Sequence, residues 1–108
     1  MDSVDIEVLR TAEAWRKAGQ HVTLGTIVKT WGSAPRPVGA LVAIREDGQV
    51  VGSVSGGCVE GAVVTEALKV LDTGERRMVT FGYSDDEAFA VGLTCGGTIH
   101  LFVEPLDW

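Results

Sequence analysis

The chain reads as an α/β protein of the α+β kind, a mixed β-sheet of about five strands with two main helices packed on it. Three observations point there. Apolar residues recur at helical spacing over 3–18 and again over 58–73, and each stretch runs into a glycine. Between and after them lie short runs rich in valine, isoleucine and threonine with period-two alternation. Helices and strands neither alternate strictly nor segregate fully, which argues against a regular doubly wound sheet. With 108 residues, 45% of them hydrophobic, there is material for one core and one domain, 1–108.

In the first helix Asp2 or Ser3 is placed to cap, Val4, Val8, Leu9, Ala12 and Trp15 recur on one face, and Gly19 is the stop. Glu13 and Lys17 form a favourable i,i+4 pair on the other side. His21 to Trp31 reads as a strand. The loop Gly32-Ser33-Ala34-Pro35-Arg36-Pro37-Val38-Gly39 follows, with two prolines stiffening the arginine between them. Ala40 to Ile44 and Gln49 to Val54 form a hairpin that turns at Glu46-Asp47-Gly48, because Asp-Gly accommodates the positive φ of a tight turn.

The second helix buries Val59, Val63, Ala67, Val70 and Leu71 and ends at Gly74. Arg77 to Phe81 is a short strand, and Ser84-Asp85-Asp86-Glu87 resembles a capping box. Thr98 to Val103 closes the sheet, with Ile99, Leu101 and Val103 pointing one way and Thr98, His100 and Phe102 the other.

The formal net charge of −6 speaks against a nucleic-acid partner, which requires a basic face. No apolar stretch approaches the ~20 residues that cross a bilayer as a helix. The opening Met1-Asp2-Ser3-Val4-Asp5 is acidic where a signal peptide is basic, so the expected compartment is the cytoplasm, where thiols stay reduced.

Chemistry concentrates in two glycine-flanked cysteines, Ser55-Gly56-Gly57-Cys58-Val59-Glu60-Gly61 and Leu93-Thr94-Cys95-Gly96-Gly97. Glycine lets backbone N–H groups approach a ligand closely. Cys58 falls where a helix begins, so the unpaired N–H groups and the macrodipole favour its thiolate and make it a candidate nucleophile. The plainer alternative is that the glycines serve a tight turn and Cys58 packs inward.

Glu60, in the first helical turn, satisfies the dipole itself; its sharper reading is a carboxylate that accepts hydrogen bonds from a heterocycle. Cys95 is placed to pair with Cys58 as a transient disulfide or to share a sulfur atom with it. Arg36 is suited to clamp a phosphate, or to stand solvated on its turn.

The stretch from Gly52 to Gly57 fails the dinucleotide fingerprint because valine holds its third position, so nicotinamide dinucleotide binding is not expected. The two cysteines lack the spacing of a structural zinc site; Cys58, Cys95 and His100 offer a metal site only as a minor alternative.

At these residues the chain resembles the xanthine dehydrogenase accessory factor family, XdhC/CoxI. The matching motifs are Gly32 to Gly39, Gly52-Ser-Val-Ser-Gly-Gly-Cys-Val-Glu-Gly61 and Gly92-Leu-Thr-Cys-Gly-Gly97, with Phe102-Val-Glu-Pro105 just after. The resemblance implies a chaperone that binds the molybdenum cofactor (molybdopterin) transiently. Such a protein assists the cofactor's sulfuration with a cysteine desulfurase and its insertion into a molybdenum hydroxylase apoenzyme of the xanthine dehydrogenase or CO dehydrogenase type.

On that reading Cys58 and Cys95 lie near the molybdenum, and Ser55, Gly56, Gly57, Glu60, Arg36, Gly96 and Gly97 complete the cofactor site. Many members carry a second, Rossmann domain that is expected to be missing here, so a separate Rossmann-domain protein becomes a candidate partner. Trp15, Trp31 and Trp108 raise the expectation of a homodimer or a docked complex. Rival readings are a small dithiol sulfur-transfer or thiol-redox enzyme and a structural docking component of a larger assembly.

Overall fold

The computed structural model describes residues 3–31, 36–53, 60–82 and 98–106. In chain order these form α1 (Ser3–Lys17), β1 (Val22–Trp31), β2 (Leu41–Arg45), β3 (Val50–Gly52), α2 (Glu60–Thr73), β4 (Arg77–Gly82) and β5 (Thr98–Pro105). The five strands make one sheet in the order β3-β2-β1-β5-β4. Five strands and two helices match the expected α+β architecture, and every ladder between neighbouring strands is antiparallel, where a mixed sheet was expected. The reason lies in the crossover through α2. β3, α2 and β4 follow one another, and β3 and β4 run the same way, but three strands separate them.

Local signals explain the elements. α1 closes in a Schellman motif: Gly19, at φ +86°, donates to the Arg16 carbonyl at 3.0 Å and Gln20 donates to that of Trp15 at 2.9 Å. Gly74, at φ +74°, ends α2 and donates to the Val70 carbonyl. The hairpin between β2 and β3 turns at 46–48 as the Asp-Gly pair requires, with Asp47 held by Arg45 on one side and accepting the Gln49 N–H on the other.

The two faces of the sheet carry separate cores. α2 lies on one, where Val63, Ala67 and Val70 meet Ile27, Val42, Ile44, Ile99, Leu101 and Val103. α1 lies on the other, where Val8 and Ala12 meet Val22, Leu24, Leu41, Ala43 and Leu106. The alternation expected for the last strand holds, because Ile99, Leu101 and Val103 are all fully buried on the α2 side. Trp15 packs partly buried against the α1 core, with the Arg45 guanidinium 5.2 Å from its ring centre.

One position of α1 differs from the sequence reading. Val4 is 45% exposed, and the buried stripe is Asp5, Val8 and Ala12. The helix turns a carboxylate inward because a partner waits for it. Among the described residues no helix is long and apolar enough to cross a membrane.

Candidate functional site

The register of the strands fixes where the three glycine motifs leave the sheet. β1 pairs Trp31 with Thr98 of β5, and Thr98 also pairs with Gly82 of β4. The end of β1, the end of β4 and the start of β5 therefore lie side by side. β2 begins at Leu41, opposite Thr26, and β3 ends at Gly52, opposite Val42. All of these termini face the same end of the sheet. The first motif follows Trp31, the second follows Val51 and begins at Gly52, and the third immediately precedes Thr98.

Both helices agree with this end. The last turns of α2 lie beside His21 and Glu46 at the opposite end, so Glu60 is the terminus turned toward the motifs. α1 likewise starts here, since Asp5 accepts a hydrogen bond from the Leu41 N–H at 3.0 Å. Strand antiparallelism and two helix directions thus place the described residues that flank three stretches, far apart in sequence, at one end of the sheet.

Arg36 is the expected site residue that the structure describes in atomic detail. Its Nη2 donates to Asp5 Oδ1 at 3.1 Å, and its Nη1 donates to the Ser53 carbonyl at 3.0 Å. The pair is sheltered: the side chains of Arg36 and Asp5 are 17% and 7% exposed. A guanidinium carries five N–H donors, so these two bonds leave donor capacity for an anion. Arg36 is neither a solvated turn residue nor free of protein partners; it ties the first motif to the root of the second.

Gly52, the first residue of the second motif, has a packing reason to be glycine. Its φ is +87°, and a Cβ there would stand 2.5 Å from Val8 Cγ2 and 2.6 Å from the Leu41 carbonyl oxygen. Gly61, the last residue of that motif, sits in the first turn of α2, and a Cβ added there would meet nothing within 4 Å. The same motif thus holds one glycine that the fold demands and one that it does not.

A shallow hollow of about 290 Å³ beside Gly52 is lined by Ser3, Val4, Glu7 and Val51. A larger one, of about 610 Å³, lies along Leu9, Ala12, Arg16 and Leu106, toward the other end of α1 and away from the motifs. Glu60 is described as the first residue of α2. Ser55, Gly56, Gly57, Cys58, Cys95, Gly96 and Gly97 lie outside the described residues, as do the capping box at 84–87 and Trp108.

His100 faces the side of the sheet opposite α2 and shares a hydrogen bond of 3.1 Å with Thr80 Oγ1. Among the described residues no group of three or more His, Cys, Asp or Glu side chains is arranged to hold a metal ion. Asp5 is the residue that sequence reasoning missed. A lone acid in a helix reads as surface, and its only clue was its place on the stripe of Val8 and Ala12.

Comparison with known proteins gives a consistent result. The model of the XdhC and CoxI family matches residues 15–82, which takes in the first two motifs. The molybdenum cofactor insertion chaperone PaoD of Escherichia coli (strain K12) is 40% identical over 99 residues, covering 92% of this chain and 31% of PaoD. A probable xanthine dehydrogenase subunit of Bacillus subtilis (strain 168) is 32% identical over 87 residues, covering 79% of this chain and 26% of that protein.

The crystal structure of a xanthine dehydrogenase from Bacillus halodurans superposes with a TM-score of 0.75 at 35% identity, covering 92% of this chain and 30% of the other. The chain therefore spans less than a third of the length of these relatives.

Proposed function

Because the chain belongs to the XdhC and CoxI family, we propose that it takes the molybdenum cofactor as cargo at the end of the sheet where the three motifs meet. There it assists the cofactor's sulfuration and its insertion into a molybdenum hydroxylase apoenzyme. The convergence of β1, β3, β4, β5 and the amino end of α2 on one side of the domain carries this reading. The similarity to a relative named as a molybdenum cofactor insertion chaperone supports it.

Each residue has a role that follows from its chemistry. Backbone N–H groups of Ser55, Gly56 and Gly57, ahead of the positive end of α2, suit the phosphate of the pterin. The remaining donors of Arg36 suit the same charge. The Glu60 carboxylate accepts hydrogen bonds from the N–H groups of a pterin ring. Glycine at 96 and 97 leaves no side chain to hold a cofactor away from the backbone.

Cys58 and Cys95 supply thiolates, soft ligands that match molybdenum and sulfur. In sulfur transfer the Cys58 thiolate attacks the outer sulfur of a persulfide on a cysteine desulfurase. A new S–S bond forms on Cys58 as the desulfurase thiolate leaves, and no net oxidant is needed. A separate Rossmann-domain protein and a second copy of the chain are the further partners proposed.

The test is retention of pterin by the 108-residue chain purified from a molybdenum-replete host, read as fluorescence after oxidation, with Cys58→Ser and Cys95→Ser beside it. Cys58→Ser should lose most of the pterin or the transferred sulfur, and Cys95→Ser should retain less than the parent chain. Retention by both variants at the parent level overturns the assignment of the cysteines. Absence of pterin from the parent chain overturns the cargo.

A further inference from the structure

We propose that the hollow at the carboxyl end of α2 docks a segment of a partner protein that carries an arginine between apolar residues. The proposal goes beyond the proposed function and does not rest on it. The hollow, of about 320 Å³, is lined by His21, Glu46, Leu68, Leu71 and Asp72. It lies at the end of the sheet opposite Trp31, Gly52 and Thr98, so a partner held there leaves that other end open.

The lining is of two kinds. Leu68 is 39% exposed, one of the few large apolar side chains at the surface among the described residues, and Leu71 is half-buried. Glu46 and Asp72 add two acids to the same hollow. A side chain that matches both is long, aliphatic along its stem and cationic at its head. Arginine suits it better than lysine, because a guanidinium is planar and more weakly hydrated than an ammonium.

The cation that this hollow calls for is not supplied by the helix that forms it. Carbonyls at the end of a helix carry partial negative charge and favour a base nearby. α1 meets that preference with Arg16 and Lys17 in its last turn, whereas the last turn of α2 has no basic residue and carries Asp72. Lys69 and Arg77 are both turned to Glu66. Asp72 has no side-chain partner among the described residues.

Glu46 is held in place, since its Oε1 accepts the His21 N–H at 3.2 Å and its own N–H donates to the His21 carbonyl at 2.9 Å. Its neighbour Arg45 is engaged by Asp47 and lies over Trp15. The helix end, Asp72 and Glu46 thus concentrate negative potential at one partly apolar hollow, and no described lysine or arginine lines it. In the free chain this arrangement is unfavourable, and a cation from outside relieves it.

The experiment is an NMR titration of the 108-residue chain with a leucine–arginine–leucine tripeptide blocked at both ends, following the backbone amide signals. Saturable shifts at millimolar peptide, centred on Glu46, Leu68, Leu71 and Asp72, are expected. The same peptide with glutamine in place of arginine should bind about two- to fivefold more weakly, the size of a solvent-exposed ion pair. The arginine peptide should lose as much on Asp72→Asn, and Leu68→Ala should weaken both peptides. Leu68 and Asp72 are exposed, so both variants should keep the fold.

A second measurement needs no ligand. Asp72→Asn removes an acid from a helix end that disfavours one, so its urea midpoint should equal or exceed that of the parent. Absence of saturable shifts, shifts spread over the whole surface, or equal binding of the arginine and glutamine peptides overturns the proposal. So does a lower urea midpoint for Asp72→Asn, because the acid then serves the fold and not a partner. Retention or loss of pterin touches neither measurement.

Discussion

Replacing Gly52 by alanine puts a methyl group into a space that does not exist. The new Cβ would lie 2.5 Å from Val8 Cγ2 and 2.6 Å from the Leu41 carbonyl oxygen, at a φ of +87°. The backbone conformation alone costs about 1–3 kcal/mol for a residue with a side chain. Overpacking adds about 1–3 kcal/mol, and more where the neighbour is a carbonyl that cannot swing aside. The sum, roughly 2–6 kcal/mol, is a large share of a small domain's ~5–15 kcal/mol.

Urea unfolding followed by tryptophan fluorescence is the assay. With a slope near 1 kcal/mol per molar, the midpoint should drop by about 2 M or more. Trimming Val8 to alanine in the same chain should not rescue it, because the Leu41 oxygen and the positive φ remain. Gly61→Ala, at the far end of the same motif, should move the other way by up to about 0.5–1 kcal/mol, since a helical glycine with open space gains from a methyl group. A midpoint for Gly52→Ala within ~0.5 M of the parent would refute the reasoning.

Leu101→Ala, at a fully buried position between β1 and β4, should cost about 2–5 kcal/mol in the same assay. Thr23→Val removes a buried hydroxyl that donates to the Ala67 carbonyl at 3.2 Å; it should cost about 1 kcal/mol and loosen α2 on the sheet, read as faster amide exchange in that helix. Asp47, hydrogen-bonded first by Arg45 and then by the Gln49 N–H, has its carboxyl pKa lowered to about 2. Its contribution to the hairpin is therefore present above the ordinary carboxylate range and is lost as pH falls through about 2. Proton titration by NMR should place it there, and Arg45→Gln should raise it. Titration with NAD or NADP should give no micromolar isotherm, as valine at the third position of the fingerprint implies.

What could be read from the sequence was local. The Gly19 and Gly74 stops, the Asp-Gly turn and the alternation of Ile99, Leu101 and Val103 each depend on residues within a few positions of one another, and each is where it was expected. What escaped was non-local. Asp5 is inward because Arg36 and Leu41, 31 and 36 positions away, need its carboxylate. The helical period puts Asp5 on the stripe of Val8 and Ala12, but it does not name the distant partners that draw a carboxylate inward.

Gly52 and Gly61 look alike in the motif, and the positive φ of Gly52 and its neighbours Val8 and Leu41 separate them. The antiparallel sheet followed from strand order, which periodicity does not encode. Of the candidate site, Arg36 gained partners that the sequence did not name.

The strand order has a consequence for how the molecule comes into being. β5 follows every other strand in the chain yet sits between β1 and β4, so ladders such as Thr23↔Pro105 close across most of the polypeptide. Contacts of such span form slowly, because a long loop must be ordered before any bond rewards it. On a ribosome the β1–β2–β3 meander and α1 are complete early, while β1 waits with one edge unpaired. That edge is a hazard for association until β5 arrives. Insertion of β5 both protects it and sets Thr98 between Trp31 of β1 and Gly82 of β4. Closure of the sheet is thus the last event of folding, and a chain cut short of Thr98 lacks it.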